Sequence, residues 1–465
     1  MKGIFDDTIC APATGQGGAI AIVRISGEWA LQAADGIFTP AGRSGPLSSA
    51  PGYSVRYGTV RDGGEILDEV LATVFRAPHS YTGEDSVEIS CHASPFIVRR
   101  ILELLVAGGC RMAEPGEFTK RAFVGGKMDL SQAEAVADVI AAQTSAAHRI
   151  AINQLKGGFS DELASVRARL LKIVSLMELE LDFSEEDVEF ANRSELKELL
   201  DKVISHITRL SDSFRLGNAI KNGVPVAIVG AVNAGKSTLL NAIVGENRAI
   251  VSDIAGTTRD TIEEQFNIGG TLFRFVDTAG LRTSDDAIER IGIERSYGAL
   301  ARAQVVLCVI DLAAALEDIS SVASDICSKI TEQQKIIFVL NKADLVTAER
   351  IEAVRALLGE EAVSYPLSAR SREGLGEMLD YLAGIYRSLG ASGETTLVSN
   401  ARHKAALDAA LAALQRTRSG LELRIPTDLV SQDLREALHH LASIVGEFST
   451  DEILGNIFRE FCIGK

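Results

Sequence analysis

Val224-Pro-Val-Ala-Ile-Val229-Gly230-Ala-Val-Asn-Ala-Gly235-Lys236-Ser237 is the stretch that decides the fold of the chain around it. Its apolar first half is typical of a buried strand, and its second half has P-loop spacing and leads into the helical sequence Thr238-Leu-Leu-Asn-Ala. In such a loop, backbone N–H groups face phosphates, Lys236 reaches the β- and γ-phosphates, and the Ser237 hydroxyl binds Mg²⁺. The stretch therefore predicts a nucleotide site on an α/β domain.

Two motifs further along the chain indicate which base is bound. Asn341-Lys342-Ala-Asp344 follows an apolar strand, where a carboxylate can accept from both N1–H and the exocyclic amine of guanine. Adenine has no such pair of donors. Ser368-Ala369-Arg370 follows another β-like run and is typical of the loop whose backbone N–H contacts the guanine carbonyl. The base predicted from these motifs is guanine.

Two more motifs lie between the P-loop and the guanine motifs. Asp277-Thr278-Ala279-Gly280 ends the strand-like run Leu272 to Val276, which places Asp277 near Mg²⁺ through water and the Gly280 N–H near the γ-phosphate. Gly256-Thr257-Thr258-Arg-Asp260 precedes that strand, where Thr258 can complete the Mg²⁺ shell and sense the γ-phosphate. Because all the motifs occur in the order that a GTPase requires, we predict a GTP hydrolase.

The pattern of the remaining chain predicts several domains. From about residue 218 to 388, apolar strands alternate with helical stretches, which indicates a mainly parallel sheet. Residues 1–124 contain short β-like runs and one helical stretch, typical of an α+β domain. Residues 125–217 and 389–465 have helical periodicity, and the first block contains periodic segments from Leu130 to Ala151, Glu162 to Leu181 and Ser194 to Leu216. Either the two helical blocks form one domain into which the α/β domain is inserted, or they form two separate domains.

Composition limits the class of protein. The 465 residues include 47 basic and 63 acidic side chains, a formal net charge of -16, which excludes a general nucleic-acid coat. The six cysteines have no short-spaced framework, the N-terminus has no signal-peptide core, and no apolar run approaches the roughly 20 residues that span a bilayer. We expect a cytoplasmic protein that does not enter a membrane.

The group that orients the attacking water is not obvious from the motifs. Ras-like proteins place a glutamine after the glycine of the Asp277 motif, but this chain has Leu281, which can neither donate nor accept. Asp285, Asp286 and Glu289 are the acidic candidates nearby, and residue chemistry alone does not choose among them. A monovalent cation held by Asn233 would supply positive charge in place of an arginine finger.

Four features of the sequence carry a resemblance to a known family: the asparagine in the P-loop, Ser252-Asp-Ile-Ala-Gly-Thr-Thr-Arg-Asp260, Asp277-Thr-Ala-Gly-Leu-Arg282 and the terminal Phe461-Cys-Ile-Gly-Lys465. Together they resemble the MnmE (TrmE) family of tRNA uridine-modifying GTPases, and the resemblance covers essentially the entire chain. The resemblance implies a multidomain fold. Its parts are an α+β N-terminal folate-binding and dimerisation domain (1–124), an α-helical domain (125–217 and 389–465) and an inserted α/β Ras-like P-loop GTPase domain (218–388).

The resemblance also implies residue roles in the GTPase domain. It assigns Mg²⁺ to Ser237 and Thr258, and K⁺ to Asn233, Ser252, Ile254 and Thr257. It makes Glu289 the water-orienting residue. The expected catalytic residues are Glu289 and Lys236 in this domain and Cys462 in the terminal sequence. The expected GTP-binding residues are Asn233, Ala234, Gly235, Lys236, Ser237, Thr238, Ser252, Asp253, Ile254, Ala255, Gly256, Thr257, Thr258, Asp277, Thr278, Ala279, Gly280, Asn341, Lys342, Asp344, Ser368, Ala369 and Arg370.

A folate pocket is expected from the resemblance alone, at Arg24, Glu84, Lys127 and Lys465. The cations suit the glutamyl carboxylates of a methylene- or formyltetrahydrofolate, and Glu84 suits the donor edge of the pterin. Without the family, Arg24 would be taken for a charge on a strand face and Glu84 for a turn residue.

The resemblance further implies partners and a reaction. A homodimer would join an MnmG-like flavoprotein, which uses FAD and NADH, in a heterotetramer or larger complex. Together they would add a carboxymethylaminomethyl group at C5 of the wobble uridine of certain tRNAs. The alternative is an Era-like GTPase that acts as a ribosome-assembly or signalling switch without folate chemistry.

Overall fold

The computed structural model describes residues 6–15, 17–182, 193–246, 264–275, 298, 300–331, 334–391, 396–447, 451–459, 461 and 464. The described chain divides into two compact units, which are treated separately below. The first draws on residues 1–140, 154–203 and 409–465, and the second on residues 141–153 and 204–408. The domain boundaries given above stay predictions.

Thirteen strands are described: β1 (Ile9–Pro12), β2 (Ile20–Ser26), β3 (Phe38–Pro40), β4 (Ser54–Asp62), β5 (Glu65–Phe75), β6 (Ser86–His92), β7 (Arg111–Met112), β8 (Val224–Gly230), β9 (Glu264–Ile268), β10 (Thr271–Phe275), β11 (Val305–Asp311), β12 (Lys335–Asn341) and β13 (Ser364–Leu367). The described helices are α1 (Ala30–Asp35), α2 (Pro95–Ala107), α3 (Glu117–Val124), α4 (Leu130–Ala141), α5 (Ser145–Leu155), α6 (Gly158–Asp182), α7 (Arg193–Asp212), α8 (Phe214–Asn222), α9 (Lys236–Glu246), α10 (Leu316–Cys327), α11 (Ala348–Leu358), α12 (Leu375–Ala391), α13 (Ala401–Glu422), α14 (Thr427–Val445) and α15 (Asp451–Phe458).

The first unit contains a seven-stranded sheet in the order β3-β4-β5-β6-β2-β1-β7. Its strands are antiparallel except for the β1–β7 pair. Alternate residues of the central strands, such as Val23, Val74 and Ile89, are buried with Leu31 of α1 and Leu105 of α2. One face of the sheet is therefore covered by helices, as the alternating apolar pattern requires.

Helices complete the first unit. α14 packs against α6, and Arg167 of α6 forms an ion pair with Glu447 just after α14. α15 packs against α3, and its Phe458 lies in a small core with Leu130 and Phe461. α15 and Phe461 are thereby held against α3 and the start of α4.

The second unit contains a six-stranded sheet in the order β13-β12-β11-β8-β10-β9. All its neighbouring strands are parallel except the edge pair β9–β10. Both faces are buried: Val226 and Ile228 of β8 lie in one apolar cluster, and Ala227 and Val229 lie in another. Such two-sided burial explains why the strands read as continuous apolar runs. The fold class predicted from the sequence is confirmed.

Two helical boundaries differ from the sequence prediction. The periodic segment from Leu130 to Ala151 is not one helix, because it breaks between α4 and α5. The Thr144 hydroxyl accepts a 3.1 Å hydrogen bond from the Ala147 N–H and so caps the start of α5. The segment from Ser194 to Leu216 is likewise divided at Ser213.

No helix among the described residues is long and apolar enough to cross a membrane.

Candidate functional site

The P-loop joins β8 to α9 and makes close backbone contacts with its neighbours. Gly230 has φ 149°, and a Cβ there would lie 2.3 Å from the Val309 carbonyl oxygen. Gly235 has φ 98°, and a Cβ there would lie 2.2 Å from Nδ2 of Asn341. Neither position can accept a side chain in this conformation. The two outer glycines of the motif are therefore required for packing as well as for the turn.

Lys236 is the first residue of α9 and folds back over the loop. Its Nζ donates to the carbonyl oxygens of Gly230, at 2.9 Å, and Ala231, at 2.7 Å. Burial lowers the pKa of Lys236, because the loop carries no full negative charge to stabilise the ammonium. Phosphate oxygens at this position would favour the charged form, so the lysine is held where an anion would stabilise it.

Asn341 connects the P-loop to the guanine-specific loop. It is 3% exposed; its Nδ2 donates to the Ala234 carbonyl at 2.8 Å, and its Oδ1 accepts from the Ala369 N–H at 3.0 Å. The buried side-chain amide of Asn341 thus pairs with a backbone carbonyl 107 residues away in sequence and with a backbone N–H 28 residues away. This contact fixes the distance between the phosphate end and the base end of the site.

The residues expected to recognise guanine lie at the same edge of the sheet. Lys342 has φ 64°, and its Nζ donates to Oδ2 of Asp311 at 2.6 Å. Asp344 is exposed in the turn that follows. Ser368 closes its own loop by accepting, through its hydroxyl, from the Ser371 N–H at 3.2 Å, and Arg370 is exposed. The carboxyl ends of β11, β12 and β13 therefore present these groups together, where parallel sheets bind ligands.

Two of the expected metal ligands are described. Asn233 has φ 61° and an exposed side chain in the P-loop, and Ser237 is exposed in the first turn of α9 beside Thr238. An amide oxygen and a hydroxyl are suitable ligands for K⁺ and Mg²⁺. The following expected site residues lie outside the described residues: Ser252, Asp253, Ile254, Ala255, Gly256, Thr257, Thr258, Asp277, Thr278, Ala279, Gly280, Glu289, Cys462 and Lys465.

Arg24 lies on β2, on the face of the N-terminal sheet opposite α1 and α2. Its guanidinium bonds to Oε1 of Glu88, with Nε at 2.9 Å and NH2 at 2.8 Å. The guanidinium carbon lies 5.4 Å from the ring centroid of Tyr81 and 5.5 Å from that of Phe118. NH1 donates to the Gly464 carbonyl at 3.3 Å. Arg24 is therefore fixed by a carboxylate, two rings and the C-terminal segment.

Glu84 is brought to the same region by Ser26, two residues after Arg24 on β2. The Ser26 hydroxyl donates to Oε2 of Glu84 at 2.8 Å and also contacts the Thr82 hydroxyl at 2.7 Å. Lys127 lies nearby, because a Cβ on Gly83 would be 3.3 Å from its Cγ, and its Nζ donates to the Pro78 carbonyl at 2.9 Å. Arg24, Glu84 and Lys127 thus surround one region of the first unit.

Gly464 brings the end of the chain into this region. Its φ is 94°, and a Cβ there would lie 2.1 Å from the Pro12 carbonyl oxygen. Gly116 makes a second close contact with the same segment, since its Cβ would lie 2.7 Å from the Phe458 carbonyl oxygen. The backbone next to Lys465 is therefore held beside Arg24, which the sequence alone gives no means of predicting.

Sequence reasoning missed Arg121, whose side chain is 0% exposed. It lies on α3, where it forms ion pairs with Asp7 at 2.6 Å, Glu117 at 3.0 Å and Glu84 at 3.2 Å. The spacing of Glu117 and Arg121, four residues apart on a helix, was the available signal, but it usually marks an exposed pair. Only the tertiary structure reveals that this arginine contacts an expected folate residue.

The parallel sheet, the P-loop and the guanine-specific loops define a P-loop GTPase. A family model described as the MnmE helical domain matches residues 130–462, and one described as the GTP-binding protein TrmE N-terminus matches residues 8–127. The chain belongs to the MnmE family.

Curated relatives match over nearly the whole chain. The tRNA modification GTPase MnmE of Bacteroides thetaiotaomicron is 50% identical over 463 residues, which is 99% of both chains. The protein of the same name from Parabacteroides distasonis is 50% identical over 461 residues, or 98% of this chain and 100% of that one. These matches confirm the prediction of a GTP hydrolase that acts in tRNA modification.

A solved structure of an Aquifex aeolicus Era variant bound to GDP·AlF4⁻ is 27% identical over 40% of this chain and 65% of that chain, with a TM-score of 0.27. So low a score supports no conclusion about function.

Proposed function

We propose that this chain is a potassium-activated GTPase that works with a flavin-dependent partner to add a carboxymethylaminomethyl group at C5 of the wobble uridine of certain tRNAs. Membership of the MnmE family and the arrangement of Lys236, Asn341 and Ala369 support the GTPase part. The observation that carries the remainder is the convergence of Arg24, Glu84 and the C-terminal segment in a second region, remote in sequence from the P-loop.

In the GTPase part, Lys236 and the P-loop N–H groups hold the β- and γ-phosphates, and Asp344 accepts from guanine. Ser237 and Thr258 would hold Mg²⁺, and K⁺ would be held by Asn233, Ser252, Ile254 and Thr257. The two ions would supply positive charge beside the phosphates. Glu289 orients the water that attacks the γ-phosphorus. Replacing K⁺ by Na⁺ should slow hydrolysis, and equal rates with either cation would remove the role of Asn233.

Glu289 provides a sharper test of the hydrolytic step. Glu289→Ala should leave GTP affinity unchanged and reduce turnover by about 100-fold, in the range for loss of a group that positions or activates a nucleophile. Asp285→Ala, which removes a neighbouring carboxylate, is the matched control and should retain turnover. Unchanged turnover in Glu289→Ala would assign the water-orienting role to another residue.

The second region fits a reduced folate by the chemistry of its side chains. Arg24 and Lys127, together with Lys465, offer cations for the glutamyl carboxylates, and Glu84 offers acceptors for the pterin donor edge. A bound methylene- or formyltetrahydrofolate would supply the one-carbon unit. Arg24 and Glu84 would orient it, with the backbone of Gly464 held against Arg24.

A homodimer would form through the exposed part of the sheet face that lies opposite α1 and α2. Val55, Tyr57 and Leu71 lie on adjacent positions of β4 and β5 and are 55%, 53% and 47% exposed. Ile20 of β2 is 65% exposed on the same face. An apolar stripe of this kind on a folded domain favours burial against another surface, and a second copy presents the complementary stripe.

The partner and the tRNA complete the proposal. A net charge of -16 disfavours tight tRNA binding by this chain alone, so an MnmG-like flavoprotein carrying FAD and NADH would share the tRNA in a heterotetramer or larger complex in the cytoplasm. Equal tRNA affinity with and without the partner would contradict this division of binding.

The decisive experiment is mass analysis of wobble nucleosides in tRNA from cells that lack this protein, with the wild-type chain restored as the control. The carboxymethylaminomethyl group should be missing and then regained. An unaltered nucleoside profile would overturn the proposal. Absence of folate binding by the purified dimer would instead favour an Era-like switch.

A further inference from the structure

We propose that Arg121 is a positioning residue that holds the Glu84 carboxylate in the geometry needed to recognise the pterin donor edge, and so sets the specificity of the folate pocket. This inference rests on the proposed folate site. It concerns a residue that does not touch the folate and acts through Glu84.

The contacts at Arg121 describe a buried ion cluster. NH2 of Arg121 donates to Oδ1 of Asp7 at 2.6 Å and to Oε1 of Glu117 at 3.0 Å, while NH1 donates to the Asp7 carbonyl at 3.0 Å and to Oε1 of Glu84 at 3.2 Å. Arg111 bonds to Asp7 and Glu117 from the exposed side. Two arginines thus face three carboxylates, and Arg121 is the member that contacts Glu84.

The hydrogen bonds of Glu84 leave a defined surface for a ligand. NH1 of Arg121 lies 3.2 Å from Oε1 and 3.5 Å from Oε2, and the Ser26 hydroxyl donates to Oε2 at 2.8 Å. An ionised carboxylate has about four acceptor sites, so Oε1 keeps acceptor capacity beyond its contact with Arg121. A pterin offers N–H donors at N3 and at the 2-amino group, which suit such an acceptor.

The remaining carboxylates explain why the cluster needs a buried guanidinium. Burial raises the pKa of Glu117, but hydrogen bonds from Arg111, from the Glu114 N–H and from Arg121 together lower it below its ordinary value. Asp7 is affected in the same way: burial raises its pKa, and hydrogen bonds from Arg111 and Arg121 lower it. Without Arg121, three negative groups would lie close together with one exposed cation, and Glu84 would lose the donor that fixes its plane.

Arg111 provides a matched control. It bonds to the same Asp7 and Glu117, but its side chain is 46% exposed and it makes no described contact with Glu84. Arg111→Gln should therefore weaken the cluster without moving Glu84. Ser26→Ala removes the second donor to Glu84 and leaves the arginines intact.

The test measures the affinity of the full-length protein for 5-formyltetrahydrofolate by calorimetry. Arg121→Gln should weaken binding about 10- to 100-fold, the range for loss of a hydrogen bond to a charged group, while Arg111→Gln stays near wild type. Because Arg121 acts through Glu84, the double variant Glu84→Gln/Arg121→Gln should bind no more weakly than Glu84→Gln alone. If the loss of folate affinity in the double variant equalled the product of the two single losses, Arg121 would act independently of Glu84. That result would show a general structural role and overturn the proposal.

A second ligand keeps the test independent of folding defects. An analogue with a methyl group in place of the pterin 2-amino group should bind the wild type more weakly than the parent folate. Ser26→Ala and Arg121→Lys should reduce this discrimination while GTP hydrolysis and Trp29 fluorescence remain as in the wild type. Full discrimination in both variants would overturn the role of Arg121. If the wild type bound no folate, the proposed folate site would be wrong. If the wild type bound folate and Arg121→Gln bound it equally well, only the role of Arg121 would be wrong.

Discussion

The nucleotide site takes its phosphate-facing groups from one loop between β8 and α9, whereas the proposed folate site would take its groups from four separate segments of the chain. In the first, backbone N–H groups and close glycine contacts set the geometry. In the second, side chains on β2, before β6 and after α3, and the backbone of Gly464, come from distant parts of the sequence. The two sites should therefore lose ligand affinity for different reasons. The first should lose affinity when a Cβ is added to a glycine, and the second when a side chain or a residue that supports it is changed.

The largest expected effect is at Gly235. Gly235→Ala places a Cβ 2.2 Å from Nδ2 of Asn341 at a φ of 98°, so the P-loop and the Asn341 contact must both shift. We expect GTP affinity to fall about 100-fold or more, which is roughly 2.7 kcal/mol, as measured with a fluorescent GTP analogue. Gly376→Ala in α12 meets nothing within 4 Å and is the control. If Gly235→Ala bound GTP normally, packing would not define this site.

The two sites also differ in how much could be predicted from sequence. The P-loop and the guanine-specific motifs could be recognised because strand, loop and helix are consecutive, so spacing alone carries the geometry. Arg24 and Gly464 are 440 residues apart, and no local pattern records their contact. Resemblance to a family supplied Arg24 and Glu84, but it did not supply Arg121, whose burial depends on the packing of α3 against Asp7.

The same reasoning applies to the helices. Apolar periodicity correctly predicted helical segments after residue 128, yet it could not show the division between α4 and α5. Periodicity continues through Thr144 because Ala147 and Ala151 face inward on the second helix as well. The start of α5 is capped by the Thr144 hydroxyl through a local hydrogen bond. A hydrophobic pattern carries no information about such a bond.

The second prediction concerns the support of the folate region. Gly464→Ala places a Cβ 2.1 Å from the Pro12 carbonyl at a φ of 94° and should displace the C-terminal segment from Arg24. We expect folate affinity to fall about tenfold, which is close to 1.4 kcal/mol, with GTP affinity unchanged. Gly455→Ala in α15 has nothing within 4 Å of its added Cβ and should bind folate normally. Equal affinities in the two variants would show that the C-terminal segment is not part of the site.

The third prediction separates stability from binding in the ion cluster of the first unit. The pKa of Glu117 is lowered in the folded chain, so its contribution is complete above the unfolded value near pH 4.5 and is lost as the pH falls through the lower folded value. Glu117→Gln should cost about 1 kcal/mol at pH 7 and less at pH 3.

Urea unfolding followed by the fluorescence of Trp29, the chain's one tryptophan, measures this difference, because Trp29 lies in the first unit at the start of α1. Glu65→Gln, at an exposed position of β5, is the control and should change stability little at either pH. A loss in Glu117→Gln that is as large at pH 3 as at pH 7 would mean that its role is packing and not charge.

The smallest effect is expected where the comparison is most direct. Val232 lies in the P-loop with its side chain 69% exposed, so Val232→Ala removes atoms that contact little and leaves the backbone N–H in place. GTP affinity should stay within about twofold.

Arg24→Lys is the counterpart in the proposed folate site: it keeps the charge but cannot bond Glu88 and the Gly464 carbonyl with one planar group between Tyr81 and Phe118. Folate affinity should fall several-fold more than GTP affinity does in Val232→Ala. Should Val232→Ala instead prove the more damaging change, the P-loop would depend on its side chains, and the distinction between a backbone-built and a side-chain-built site would be wrong for this protein.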